Sequence, residues 1–391
     1  MTIVHLVLTG ISIITLCGWC FVWFIHLCAL IYGKWRLHRP NEPPSPEDLQ
    51  GVSIIKPLTG VDPHLYSNLE TFFNLNYPLY ELLFCVQNEQ DPAIFIVQSL
   101  IAKYPNADSR LFICSKNVGP NGKINNMVAA YDNAKYNLIA INDSGMRMSP
   151  ETLLDMVSAL TPKVGLVHQM PYCCNRKGFA SAYEKVFFGT QQSRCYLSAN
   201  FVGINCTTGM SCLMRKELLD QAGGMSAFGK YLAEDYFFAE AIREKGYQTV
   251  ICSEPGMQNC GTYSIGEFHK RLIRWSQLRT SMIPMFIIFE PLSECMMLGV
   301  LASLAVEYMF DISPLAFFLL HVLVWFLLDY ILMQIVENGS LPMSKFEFLV
   351  CWLLREVMTL YLTIQSHRDW TIVWRNRKYR VRWGGIAEEI V

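Results

Sequence analysis

Charge is what this sequence is short of. Only 17% of its 391 residues are Asp, Glu, Lys or Arg, against about 25% in an ordinary soluble domain. The deficit is uneven, which fits a membrane protein with one soluble region better than an oversized core. Neither sign of charge is in excess. A formal net charge of -1 gives no domain-wide basic face and excludes nucleic acid as a partner. Internal repeats are absent. The 14 cysteines are scattered, several inside apolar runs, with no ladder spacing, and read as buried thiols in a reducing compartment. Nucleotide signatures are missing too. No G-x-G-x-x-G follows a strand, and the turn Gly119–Lys123 (GPNGK) has no Ser or Thr after its lysine, so it is not a Walker A loop.

What is abundant is apolar sequence. Residues 3–33 contain no Asp, Glu, Lys or Arg, and about 20 such residues suffice to cross the hydrocarbon core. Lys34, Arg36 and Arg39 follow at once, which predicts a signal anchor with the following region in the cytosol. A Pro-rich linker ends at residue 50. Three further apolar segments, 292–310, 313–336 and 346–364, are expected late in the chain, the last carrying Arg355-Glu356. The tail 367–391 is basic, and its charge favours the cytosolic side. Counting crossings puts it on the opposite side, and the sequence leaves that conflict open. The expected organisation is an anchor over 1–33, a linker over 34–50, a soluble domain over 51–282, a membrane region over 283–366 and the tail.

Between the apolar ends, short β-type runs alternate with helical patterns. Strands are expected at 52–55, 80–86, 110–114, 136–141, 165–168 and 248–253, with helices between them. This alternation means an α/β domain with a mostly parallel sheet covered on both faces. Polar groups in such folds gather beyond the carboxyl ends of the strands, where Asp91 and Asp143 fall.

Two clusters stand out further on. Glu234 and Asp235, in YLAEDYFF, open a predicted helix. Arg271, Arg274 and Trp275, in KRLIRW, lie just before the late apolar region. An acid could take a proton from a hydroxyl nucleophile. Arginine forks suit a phosphate leaving group, and a set of carboxylates could hold a divalent cation against a diphosphate. Trp275 reads equally as an interface anchor, a core residue or a platform for an acceptor.

The motifs NEQDP with Asp91, INDSG with Asp143, AEDYF with Asp235 and RLIRW over 271–275 resemble those of the ceramide glucosyltransferase family. That family sits within the large inverting glycosyltransferase group that also contains cellulose and chitin synthases. KPLTGVDP (56–63), KINN (123–126), TGMSCLMRK (208–216) and YRVRWGGIAEEI (379–390) extend the resemblance over nearly the whole chain.

The resemblance implies a GT-A domain that transfers glucose from UDP-glucose to the primary hydroxyl of ceramide with inversion, giving β-glucosylceramide and UDP. It implies that Asp235 is the general base, that Asp91 contacts the uridine part, and that Asp143 lies near the diphosphate and any metal. Lys123, Arg271, Arg274 and Trp275 would line the diphosphate, Trp275 also the acceptor, and Cys206 would fall in a donor-binding stretch. It further implies a Golgi membrane location with the active site toward the cytosol. Many relatives carry Asp-x-Asp where this chain has Asp143-Ser144-Gly145, so Mg²⁺ or Mn²⁺ is expected to assist without a dedicated cage. A related enzyme acting on another lipid or sugar shares these motifs. A transporter or structural membrane protein is disfavoured because the few apolar segments bracket the soluble region and show no repeat.

Overall fold

The computed structural model describes residues 3–174, 176–261, 264–374 and 377–390. Two compact units are present. One comprises Trp35–Lys177, Val202–Tyr263 and Thr371–Val391, and the other Met1–Lys34, Gly178–Phe201 and Ser264–Trp370.

The first unit is built on a seven-stranded sheet. In chain order the strands of this unit are β1 (Val52–Leu58), β2 (Tyr80–Val86), β3 (Ser109–Ile113), β4 (Leu138–Asn142), β5 (Met146–Arg147), β6 (Val164–His168), β7 (Pro171–Cys173), β8 (Ser211–Arg215), β9 (Gln248–Ile251) and β10 (Gly256–Gln258). The large sheet runs β3-β2-β1-β4-β8-β6-β9, and β5-β10-β7 form a small one. Every residue of β1 and β4 is buried, as expected of strands covered on both faces. Alternate residues of β1 feed opposite cores. Ile54 packs with Leu69, Phe72 and Phe84, while Ile55 packs with Leu83, Ile124 and Phe238.

The sheet is mixed. β1 to β4 are parallel, but β8 pairs antiparallel with both β4 and β6. Sequence periodicity misses β8, because SCLMR is a five-residue run with no β-branched residue. β1 also runs beyond its expected end, through Lys56-Pro57 to Leu58. Its rungs with β4 stop at Ile55, so the missing N–H of Pro57 breaks no bond on that side.

The basic tail is ordered. β11 (Thr371–Trp374), β12 (Arg377–Val381) and β13 (Ala387–Ile390) form an antiparallel sheet. Tyr379 and Val381 face inward between exposed Lys378, Arg380 and Arg382, and Arg382 pairs with Glu388 (2.8 Å). This sheet joins the first unit through the Tyr231–Ile386 bridge and the Ala387 N–H donated to the Lys230 carbonyl (2.9 Å). The tail from Thr371 therefore belongs to the same compact unit as the large sheet.

The second unit is helical. Ile3–Arg36, nearly all of which lies in it, and Pro314–Glu337 are long and apolar enough to cross a membrane. Phe286–Leu292 and Cys295–Phe310 reach that standard as a pair bent by 82°. Lys345–Arg368 is as long as Pro314–Glu337 but does not meet it. Ile265–Met282 carries the RLIRW stretch and begins with a full capping box between Ser264 and Glu267. Phe179–Phe187 runs into a π turn, Phe188–Gln192, and then into Ser193–Val202.

Candidate active site

Two helices of the first unit start beside each other, and their first residues build the site. Gly122–Asp132 is capped by Asn121, whose side-chain oxygen accepts from the Lys123 and Ile124 N–H groups. Glu234–Glu244 opens with its two acids in the first turn, where the helix dipole favours negative charge. Asn121 ties the two together, its amide donating to the Tyr231 carbonyl (2.7 Å) and to Glu234 Oε2 (2.9 Å).

Lys123 is the hub. Its Nζ donates to Asp143 Oδ1 (2.8 Å), Glu234 Oε1 (2.9 Å) and the Gly209 carbonyl (2.9 Å). A lysine has three N–H donors, and these contacts use all three. Burial alone would lower its pKa, but Asp143 and Glu234 outweigh that and hold it above its ordinary value.

Asp235 stands beside this hub. Its Oδ2 accepts the Gly209 N–H (2.6 Å) and its Oδ1 the Tyr236 N–H (2.9 Å). Desolvation first, and the Glu234 charge second, push its pKa up to about 6. A carboxylate poised there is mostly ionised at neutral pH yet more basic than a free aspartate, which suits a general base.

Asp143 forms the open rim. It follows β4 directly, its N–H donates to the Met210 carbonyl (2.9 Å), and its own carbonyl accepts from Lys56 Nζ (2.9 Å). Its side chain is 39% exposed, against 6% for Glu234. Among the described residues, no group of three or more His, Cys, Asp or Glu could hold a metal ion. Asp143 thus offers one accessible carboxylate. That suits a cation such as Mg²⁺, which binds through one or two carboxylates plus substrate phosphates, and not a cage made by the protein alone.

The other expected residues divide. Asp91 lies at the carboxyl end of β2 as expected, with its carboxylate engaged by the Gly60 N–H (2.9 and 3.1 Å) and the Ala93 N–H (2.9 Å). Cys206 lies in the segment leading to Gly209. There Asn205 is anchored by its amide to the Tyr236 carbonyl (3.1 Å) and Glu240 (2.8 Å). Arg271, Arg274 and Trp275 belong to the helical unit. Arg271 stacks over Trp275 (4.5 Å to the ring centroid) and faces Glu184 (3.6 Å). Arg274, one turn on, is half-buried.

Sequence reasoning missed Asn121 as the tie and Glu234 as the partner of Lys123. The G-P-N-G-K order around a helix start was the available signal. Gly119 also has a reason of its own. A Cβ there would lie 2.4 Å from the Gly229 carbonyl oxygen, so this glycine serves a backbone-to-backbone crossing. Gly119→Ala should therefore destabilise the protein by about 1–3 kcal/mol and be read as a lowered Tm. An unchanged Tm would refute the crossing.

The fold has a solved counterpart. The mannosyltransferase PcManGT from Pyrobaculum calidifontis, in complex with GDP-Man and Mn²⁺, aligns over 92% of this chain and 97% of its own, with a TM-score of 0.51 at 17% identity. The fold is thus that of a GT-A-like glycosyltransferase domain, here carried with apolar helices. The chain belongs to glycosyl transferase family 21, whose model matches residues 21–387. It is 42% identical to ceramide glucosyltransferase 3 of Caenorhabditis elegans, over 96% of this chain and 82% of that protein. Ceramide glucosyltransferase 1 of the same organism is 41% identical over 97% and 82%. The ceramide glucosyltransferase of Komagataella phaffii is 27% identical over 94% and 91%. These matches bear out the resemblance carried by the motifs.

Proposed function

We propose that this protein is a membrane-bound glucosyltransferase that moves glucose from UDP-glucose to the primary hydroxyl of ceramide with inversion, forming β-glucosylceramide and UDP. The observation that carries this reading is Asp235, an acid with a raised pKa, held by two backbone N–H groups beside a lysine-compensated pair of acids. The relatives' activity supports the choice of lipid acceptor and sugar.

Asp235 takes the proton of the acceptor hydroxyl as its oxygen attacks the anomeric carbon. The bond to the UDP oxygen breaks as the new bond forms on the opposite face. One base suffices for such a single displacement, and no covalent glycosyl-enzyme is needed. Lys123, fully engaged by protein groups, keeps the Asp143 and Glu234 charges from overwhelming the base. We assign Asp143 to the diphosphate side, together with any Mg²⁺ or Mn²⁺, which would neutralise charge on the leaving diphosphate. The motif assigns Arg271, Arg274 and Trp275 to the diphosphate and the acceptor, and Asp91 and Cys206 to the donor. Asp91 would act by shaping the loop at Gly60, since its oxygens already accept backbone N–H groups. We place the protein in the Golgi membrane with the sheet unit and the tail facing the cytosol.

The test is a product assay with detergent-solubilised protein, labelled UDP-glucose and ceramide. Label is expected in the lipid fraction, with UDP released in equal amount. Label that stays in the aqueous phase would reject the reading, and preferential use of UDP-galactose would correct the sugar.

A further inference from the structure

The helical unit buries a set of charges that the proposed chemistry does not use. His26, Arg194, Glu294, Asp329, Arg355 and Glu356 are each at most 6% exposed. Asp329 is the centre. Its Oδ1 meets Arg194 (3.2 Å) and His26 (3.3 Å), and its Oδ2 accepts from Arg355 (2.9 Å) and the Trp352 indole N–H (2.8 Å). Arg194 also reaches Glu294 (3.1 Å), and Arg355 pairs with Glu356. Ionisable groups in an apolar helical unit are costly and mark function by default. With three carboxylates, two guanidiniums and one imidazole, the set is neutral when it holds one extra proton, which keeps that cost down.

What the cluster grips is the π turn Phe188–Gln192. Arg355 donates to the Thr190 hydroxyl, which in turn donates to the Val186 carbonyl. Gln191 donates to Glu294 (2.7 Å). A Cβ on Gly189 would come within 2.7 Å of Met333, so the turn is also pressed against Pro314–Glu337. Such turns inside helices are frequent at functional sites. The first residue of this one, Phe188, meets Trp275 edge-on (centroids 6.1 Å apart), and Arg271 lies 5.9 Å from the Phe188 ring. One turn earlier, Glu184 pairs with Arg271 and the Tyr183 hydroxyl meets His269 (3.1 Å). Only Gly189 separates the ring that touches the RLIRW helix, on Phe188, from the hydroxyl held by the buried charges, on Thr190.

We propose that the ion cluster centred on Asp329 is a positioning device for Arg271 and Trp275, acting through Thr190 and Phe188 of the π turn. Thr190, Arg355 and Asp329 then set the hold on the UDP group without touching it. The inference rests on the reading of Arg271 and Trp275 as diphosphate-side residues. It differs from a purely structural role for the charges in predicting energetic coupling, the evidence that such a path requires.

The test is calorimetric UDP binding to the full-length solubilised protein, with Tm measured in parallel. Thr190→Val keeps the shape and removes the hydroxyl. It should weaken UDP binding about fivefold or more while lowering Tm by no more than a few degrees, the cost of the Arg355 N–H left without its acceptor, and Thr190→Ser should restore affinity. In a Trp275→Phe background the Thr190→Val effect should shrink below about twofold, the non-additivity expected of coupled residues. Unchanged affinity in Thr190→Val, a loss that tracks a falling Tm, or full additivity with Trp275→Phe would each overturn the proposal. A wild type that binds no UDP overturns it together with the functional reading. A wild type that binds UDP but leaves ceramide unglucosylated overturns the acceptor assignment alone, and the UDP affinities still decide this inference.

Discussion

Asp235→Asn is expected to lower glucosyl transfer by about 10²–10⁴-fold, with UDP binding retained and Tm within a few degrees of wild type. The amide oxygen still accepts one of the two backbone N–H groups, from Gly209 or Tyr236, so one bond of the loop survives. The sign of the electrostatic term also favours the fold. The folded pKa of Asp235 is raised from 3.8 to about 6, so between those values the folded state holds a proton that the unfolded chain has released. Its contribution to stability is present at low pH and lost as pH rises through about 6. At neutral pH the ionised carboxylate therefore works against folding, and a neutral replacement relieves that. In the wild type the same shift gives transfer an acid limb near pH 6, because only the ionised base accepts the proton. Near-normal turnover in the variant would remove Asp235 from the chemistry. Turnover lost in step with Tm would return it to the scaffold.

Lys123→Met should be the most damaging single change in the sheet unit. It leaves Asp143 Oδ1, Glu234 Oε1 and the Gly209 carbonyl without their shared donor. Breaking a buried pair by removing one partner costs about 3–5 kcal/mol, to be seen as a drop in the denaturation midpoint. Lys123 is also a charge that lowers the proton affinity of Asp235. Its loss should move the acid limb of the residual activity to higher pH. Lys123→Arg should rescue little, since a planar fork cannot aim three donors at these three oxygens. A stable variant with an unmoved pH profile would show that the lysine does not compensate the cluster.

The alternation of strands and helices in the first half was legible because buried parallel strands read as apolar runs bounded by turns. Asp143 and the Glu234–Asp235 pair were legible because strand ends and first helical turns are where acids serve chemistry or capping. Other features were hidden for physical reasons. β8 is short and enters the sheet out of chain order, so its place between β4 and β6 is a tertiary fact. The basic tail was read for its charge alone, and the alternation at Lys378, Tyr379, Arg380 and Val381, that of a half-buried strand, went unread. The turn Gly119–Lys123 showed only that it is no Walker A loop; that Gly119 makes room for Gly229 and Lys123 turns toward acids are tertiary facts. Arg355-Glu356 was legible as a pair needing partners within itself or in the bundle, but which groups those are was hidden, because Asp329 and Arg194 are remote in sequence.

The central claim is that Asp235 drives one in-line displacement onto a lipid hydroxyl. Its most direct test is the linkage of the product formed from labelled UDP-glucose and ceramide by the purified wild type and Asp235→Asn, read by NMR. The account predicts a β-linked glucosyl lipid from the wild type and essentially none from the variant. An α-linked product, or equal amounts of β-linked lipid from both proteins, would contradict it.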